Sequence, residues 1–171
     1  MQLSVAKLET ARDQIAITSM TEHDLLEVVE IEEQSRLSRW GWAAYYAELQ
    51  GANRSLMLVA RIQSPGSRSQ GNGVAGYIVA RLSAGELHIN NVAVRTEFRG
   101  RGIGKALLTR ILEQGRMLDA TVAFLELRAG NSIAQSLYEK AGFVPVGKRR
   151  NYYSDPVEDA LTMTAQLEGS A

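Results

Sequence analysis

Apolar residues follow two different rhythms along this chain, and each change of rhythm marks the edge of an element. Leu56 to Ile62 (LMLVARI) and Val74 to Leu82 (VAGYIVARL) are apolar and β-prone, which predicts two strands. Between them residues 63–73 read QSPGSRSQGNG, a Gly- and Ser-rich stretch that predicts a mobile hairpin loop joining an antiparallel pair. Upstream, Ile15 to Ser19 predicts a first strand. Thr21 with Asp24 three residues later forms a capping-box pattern that opens a helix running to about Gln34, and a second helix covers Trp42 to Gln50. Downstream, Glu86 to Arg95 predicts a strand, Gly102 to Leu118 a helix, Thr121 to Arg128 a strand, and Ser132 to Ala141 a helix ended by Gly142. Phe143 to Tyr153 and Ala160 to Leu167 close the chain as strands. This order predicts a mixed α/β sheet with helices on both faces, and it leaves residues 1–12 as a flexible extension.

Composition narrows the picture. A chain of 171 residues with 45% hydrophobic and 22% charged positions fits a single domain over 1–171 that buries its own core. Nineteen Lys and Arg balance nineteen Asp and Glu, so there is no global basic field for direct nucleic-acid binding. Cysteine is absent, which excludes a disulfide framework, a thiolate zinc site and a Cys nucleophile. With His23 and His88 as the only histidines, no metal site is expected, and a Ser-His-Asp triad would have to use one of these two. The start MQLSVAKLET has no signal-peptide pattern, and no apolar run approaches the roughly 18 residues a membrane span needs. The expectation is a cytoplasmic protein that does not enter membranes.

The most informative stretch is NNVAVRTEFRGRGIGKALL, residues 90–108, where a strand passes through Arg99, Gly100, Arg101, Gly102, Ile103 and Gly104 straight into a helix. Glycines let backbone N–H groups approach an anion, and a helix start adds unpaired donors and the positive end of its dipole. Arg95, Arg99, Arg101 and Lys105 against Glu97 leave a local charge of +3 in a neutral chain. A Rossmann fingerprint from Gly100 fails at Lys105, and a P-loop fails because Ala106 follows Gly104-Lys105. A turn that merely caps a helix is the alternative.

The spacing Arg99-x-x-Gly102-x-Gly104 after the strand NNVAV resembles motif A of the GCN5-related N-acetyltransferases, the GNAT superfamily. LELRAGNSIAQSLYEKAGFVPVGKRRNYY, residues 125–153, resembles the second half of that family's core, and most closely its RimI-type ribosomal-protein-alanine members. The resemblance covers about Ile15 to Leu167. It implies a mostly antiparallel twisted sheet splayed between the fourth and fifth strands. It also implies acetyl-CoA as co-substrate, with the pyrophosphate held by the loop from Arg99 to Lys105 and the pantetheine arm by backbone groups of Val92, Ala93 and Val94.

Acetyl transfer to an amine needs a neutral nucleophile, polarisation of the thioester oxygen and a proton for the departing thiolate. Alternation along Thr121 to Arg128 places Glu126 on the same face as Val122 and Phe124, half-buried beside apolar groups. The resemblance puts it at the position of the catalytic base, while pairing with an arginine such as Arg128 is the structural alternative. Tyr138, two turns into its helix, takes the position of the general acid by the same resemblance; the alternative is a core aromatic beside Leu137 and Phe143. Asn131 is an N-cap by pattern, and a pantetheine contact by resemblance.

Two aromatic clusters are candidates for the acceptor groove: Trp40 and Trp42 in RLSRWGWAAYY, and Tyr152 and Tyr153 near the end of the chain. RimI-type enzymes usually carry Pro before Trp in the first cluster, whereas here Arg39 precedes Trp40. Thr21 to Glu33 holds six acidic residues and no Lys or Arg, read as a solvated helix face with a receptor for a basic peptide as the alternative. The favoured function is acetylation of a protein N-terminal α-amine, specifically the N-terminal alanine of a small-subunit ribosomal protein. A small-molecule amine or lysine acceptor, and a non-catalytic acyl-CoA sensor, are the alternatives.

Overall fold

The computed structural model describes residues 14–35, 39–51, 54–63 and 73–167. The expected extension over 1–12 and positions 64–72 of the expected mobile loop lie outside them. The elements follow the predicted order: β1 (Gln14–Ser19), α1 (Leu25–Gln34), α2 (Gly41–Gln50), β2 (Ser55–Gln63), β3 (Val74–Ser83), β4 (Glu86–Val94), α3 (Ile103–Met117), β5 (Val122–Arg128), α4 (Ser132–Lys140), β6 (Val144–Ser154) and β7 (Val157–Gln166). The last strand begins at Val157 rather than Ala160, because the β6–β7 ladder runs down to the pair Ser154 and Val157 and draws Glu158 and Asp159 into it.

The strands form one seven-stranded sheet in the order β1-β2-β3-β4-β5-β7-β6. Neighbours are antiparallel except β4 and β5, which run parallel and are joined by α3 as a parallel pair requires. One face carries Leu58 and Ala60 of β2, Ile78 of β3 and Leu87 of β4 against Leu107, Leu108 and Ile111 of α3 and Tyr138 of α4. The other packs Met57, Val59, Tyr77 and Val79 against Leu25, Val28 and Ile31 of α1 and Tyr45 of α2. Helices therefore cover both faces. The spacing Ile103, Leu107, Leu108, Ile111, Leu112 gives α3 a single apolar stripe. Gly115 extends that stripe at the closest approach: a Cβ there would sit 2.8 Å from Leu87 Cδ2.

Two irregularities in β4 shape the site. Its ladder with β5 runs only from Glu86–Val122 to Ile89–Leu125; beyond that, β4 continues on β3 while β5 continues on β7, and the two strands part. At the same point β4 carries a bulge: Val79 pairs with Asn91 and Ala80 with Ile89, so Asn90 has no partner on β3. The extra residue exchanges the two faces of the strand. Leu87 and Ile89 belong to the α3 layer before it; afterwards Val92 and Val94 pack on that layer, while Ala93 joins the α1–α2 layer and Asn91 bonds Tyr45.

Candidate active site

The parting strands open a cleft of about 810 Å³. Its walls are Ile89 to Val92 from β4, Phe124 to Arg128 from β5, and Asn131, Ala134 and Tyr138 from the start and inner face of α4. Trp40 closes one side; Arg149, Tyr152 and Tyr153 of β6 close the other. Glu126, Tyr138, Asn131, Val92, Trp40, Tyr152 and Tyr153, singled out from sequence, thus meet in one space.

Glu126 stands on the β5 face that alternation predicts, with its side chain 24% exposed. It does pair with an arginine, but across the sheet: Arg149 Nε lies 3.0 Å from Glu126 Oε1, with the rest of Arg149 largely in solvent. Arg128 is engaged elsewhere. Its guanidinium donates to the carbonyls of Asp155 and Pro156 at 2.9 and 3.0 Å, meets Glu158 at 3.3 Å and lies over the Tyr153 ring. Tyr138 is both things at once, a core aromatic set edge-on to Phe143 at 5.8 Å and a wall of the cleft. Burial, with Tyr153 adding a smaller effect, pushes its phenol up to about 12, so it stays protonated at neutral pH. Burial raises Tyr153 as well, with the Glu126 charge second. Asn131 caps α4 as predicted, its Oδ1 accepting the Ala134 N–H at 3.1 Å.

The glycine turn lies beside the cleft. Ala93, Val94 and the loop residues Arg99, Gly100, Arg101, Gly102, Ile103, Gly104 and Lys105 do not line it. Ala93 and Val94 end β4 and the loop leads into the adjoining head of α3, where a Cβ on Gly104 would touch Leu137 of α4 at 3.5 Å. Gly100 and Gly102 have φ of +75° and +80°, and a Cβ on either would meet nothing within 4 Å, so the backbone is open to a ligand. Helix α3 has no side-chain cap; its first bond is Ala106 N–H to the Gly102 carbonyl at 3.0 Å, which leaves the N–H groups of Ile103, Gly104 and Lys105 without an intrahelical acceptor. Arg99 Nε donates to the Val94 carbonyl at 3.0 Å, and Arg101 lies over the Phe98 ring.

Some charges expected at the site are used elsewhere. Arg95, counted in the +3, is bound 3.1 Å from both Glu27 and Glu30 and donates to the Val74 carbonyl, so it belongs to the scaffold. The acidic run is a solvated face only in part: Glu22, Glu30 and Glu33 are exposed, but most of its carboxylates are tied into the fold. Asp24 forms a bidentate pair with Arg61 at 2.6 and 2.7 Å, Glu27 and Glu30 hold Arg95, and Glu32 is buried against the backbone of Trp40 and Gly41. Trp42 stacks flat on Tyr46 at 4.8 Å and does not line the cleft, because α2 turns it to the opposite side from Trp40.

Sequence reasoning passed over Arg149, His88, Phe124, Asn90, Asn91, Ser35, Glu158 and Thr162 as wall residues. Period two along β5 was enough to find Phe124, which shares a face with Glu126. His88 follows from parallel register, where it sits opposite Phe124 and stacks on it at 5.5 Å. Asn91 required the bulge. Among the described residues no group of three or more His, Cys, Asp and Glu could hold a metal, and no helix is long and apolar enough to cross a membrane.

Residues 24–143 match the acetyltransferase (GNAT) family. A Bacillus subtilis relative is 36% identical over 148 residues, 86% of this chain and 93% of that one, and is provisionally named as a ribosomal protein bS18-alanine N-acetyltransferase. A Mycobacterium tuberculosis relative named N-alpha-acetyltransferase RimI is 32% identical over 154 residues, 87% of this chain and 90% of its own. The crystal structure of the Escherichia coli ribosomal-protein-S18-alanine N-acetyltransferase superposes with TM-score 0.78 and 26% identity, covering 92% of this chain and 97% of that one. The fold is also that of Arabidopsis thaliana NAA60 in complex with acetyl-CoA, TM-score 0.80 at 17% identity over 91% of this chain and 100% of that one. With a family model covering most of its length, a splayed sheet and a glycine turn at the head of α3, the chain belongs to the GNAT acetyltransferase family.

Proposed function

We propose that the protein, working as a single GNAT domain, acetylates the N-terminal α-amine of a protein, and specifically the N-terminal alanine of a small-subunit ribosomal protein in the cytoplasm. The observation that carries the reading is the convergence of Glu126, Tyr138 and Asn131 where β4 and β5 part. The names of the bacterial relatives supply the acceptor.

The residues present fit acetyl-CoA. The open space over Gly100 and Gly102 and the uncapped head of α3 suit a pyrophosphate, with Arg99, Arg101 and Lys105 adding positive charge. Past Ile89, β4 has lost its β5 neighbour, so along Val92, Ala93 and Val94 the backbone groups that point away from β3 can pair with an extended pantetheine arm, apart from the Val94 carbonyl that Arg99 holds. Bound acetyl-CoA supplies the acetyl group already activated as a thioester. Glu126 accepts the proton that the amine sheds, directly or through a water, and returns it to solvent. An α-amine, with pKa about 7.7 to 8.0 against about 10.4 for lysine, needs only this one carboxylate. A backbone N–H of β4 polarises the thioester oxygen. The Tyr138 hydroxyl gives its proton to the departing sulfur and is reprotonated from the cleft. Trp40, Tyr152 and Tyr153 form the walls against which the first residues of the acceptor pack.

The test is acetyl-CoA-dependent thiol release with a short peptide beginning in alanine, beside its N-terminally blocked form, free lysine and spermidine. Release with the unblocked peptide alone is expected, and Glu126→Gln and Tyr138→Phe each lower kcat by roughly 10² to 10⁴. Release with the small amines alone overturns the acceptor; coenzyme binding without any release also overturns it, in favour of an acceptor outside this set or a sensor.

A further inference from the structure

Glu32 is a carboxylate only 1% exposed, near the end of α1. It accepts the Trp40 N–H, and its second oxygen accepts the Gly41 N–H at 3.3 Å. These are the N-cap and first residue of α2, whose N-terminus carries no cap of its own. A helix start is ordinarily satisfied by a Ser, Thr, Asp or Asn at the N-cap. Here that position holds tryptophan, which has no oxygen to offer, and the acceptor comes from another helix. The arrangement leaves the N-cap position free to carry an indole into the cleft wall. Burying a carboxylate is costly unless it is hydrogen-bonded, and the positive end of the α2 dipole lowers that cost. Behind it Tyr45 and Tyr77 share a hydrogen bond of 2.8 Å, and Asn91 donates to Tyr45 at 2.8 Å before reaching the same cleft. The Trp40 ring also packs on Tyr45, 5.3 Å between centroids.

We propose that Glu32 is a positioning residue for the acceptor: by capping α2 from outside it fixes Trp40 in the cleft wall, and so sets affinity for the peptide without touching it. This rests on the reading of the cleft as a peptide-amine acetylation site. Loss of a charge-assisted cap in Glu32→Gln is expected to raise KM for an alanine peptide about tenfold, with kcat and KM for acetyl-CoA within about twofold. In a Trp42→Phe background the emission of Trp40 should move to longer wavelength and become more accessible to acrylamide in Glu32→Gln. Reduced Tm with unchanged peptide KM and unchanged Trp40 emission would overturn the proposal, leaving Glu32 a scaffold residue. Should Glu32→Gln fail to fold, Glu32→Asp keeps the charge but draws it back from the Trp40 and Gly41 amides, and the same rise in peptide KM and shift of Trp40 emission are expected; unchanged peptide KM and emission in that variant would sink the idea. The emission readout needs no turnover, so it separates failure of the clamp from failure of the proposed acceptor, which would show in the unmodified protein.

Discussion

Two charged segments of this protein look like mirror images in the sequence and have opposite fates. Thr21 to Glu33 carries six acidic residues, and the fold engages Asp24, Glu27, Glu30 and Glu32 in its own contacts: Arg61, Arg95 and four backbone amides. Arg99 to Lys105 carries three cations, and none of them forms an ion pair among the described residues. The acidic segment holds α1 to the sheet; the basic loop stays open to something outside the chain. Charge counted along a sequence therefore says where charge is, and only the partners say what it is for.

The largest effect expected from this contrast is on stability. Asp24→Ala strands the inward-facing Arg61 guanidinium and the Thr21 N–H, at about 2 to 3 kcal/mol, discounted because Arg61 still reaches water. Tm should fall by about 4 to 10 °C while affinity for coenzyme A, measured calorimetrically, stays unchanged. Next comes Gly102→Val, which forces a β-branched residue to a φ of +80° and fills the open backbone face. Coenzyme affinity should drop by roughly 30-fold or more with a smaller loss of Tm, and normal affinity would place the pyrophosphate elsewhere.

Salt sharpens the comparison further. Raising ionic strength from about 0.05 to 0.5 M should weaken coenzyme binding several-fold, and Arg99→Gln with Lys105→Gln should flatten that dependence. The Asp24–Arg61 pair, partly shielded from solvent, should lose much less stability over the same range. The smallest effect is one of pH. Hydrogen bonding to Arg95, and then its charge, holds the Glu30 carboxyl below its ordinary value of 4.5. A depressed folded-state value means that its contribution is complete above about pH 4.5 and is lost as pH falls through the lower value. Thermal melts should show a shallow loss of stability there, absent in Glu30→Gln.

The order of elements was legible in the sequence because periodicity and turn residues are local. Thr21, Asp24 and Asn131 mark helix ends with side chains that act within a few residues of themselves, and Gly142 does so with a backbone φ of 94°. The meeting of Glu126 with Tyr138 was legible only through family likeness, since no local pattern says that β5 and α4 face one space. The arginine beside Glu126 is not Arg128, the example nearby in sequence, because Arg149 reaches it from a different strand, and the ties of the acidic run were hidden because Arg61 lies on β2 and Arg95 just past β4. Trp40 and Trp42 look equivalent in the chain. One sits at the N-cap and the other inside α2, so the helix sends their rings in different directions.

The stretch of β4 beyond Ile89 is, in effect, a sheet edge placed in the interior of the sheet. Exposed edges invite foreign strands and aggregation, and proteins ordinarily blunt them with charge, proline or a covering loop. Here β5, still held along its other edge by β7, faces β4 across the gap and leaves room for only one narrow, extended guest. The same unmet backbone groups that would be a hazard on the outside become a selective slot on the inside, closed to another protein's sheet and open to a single thread.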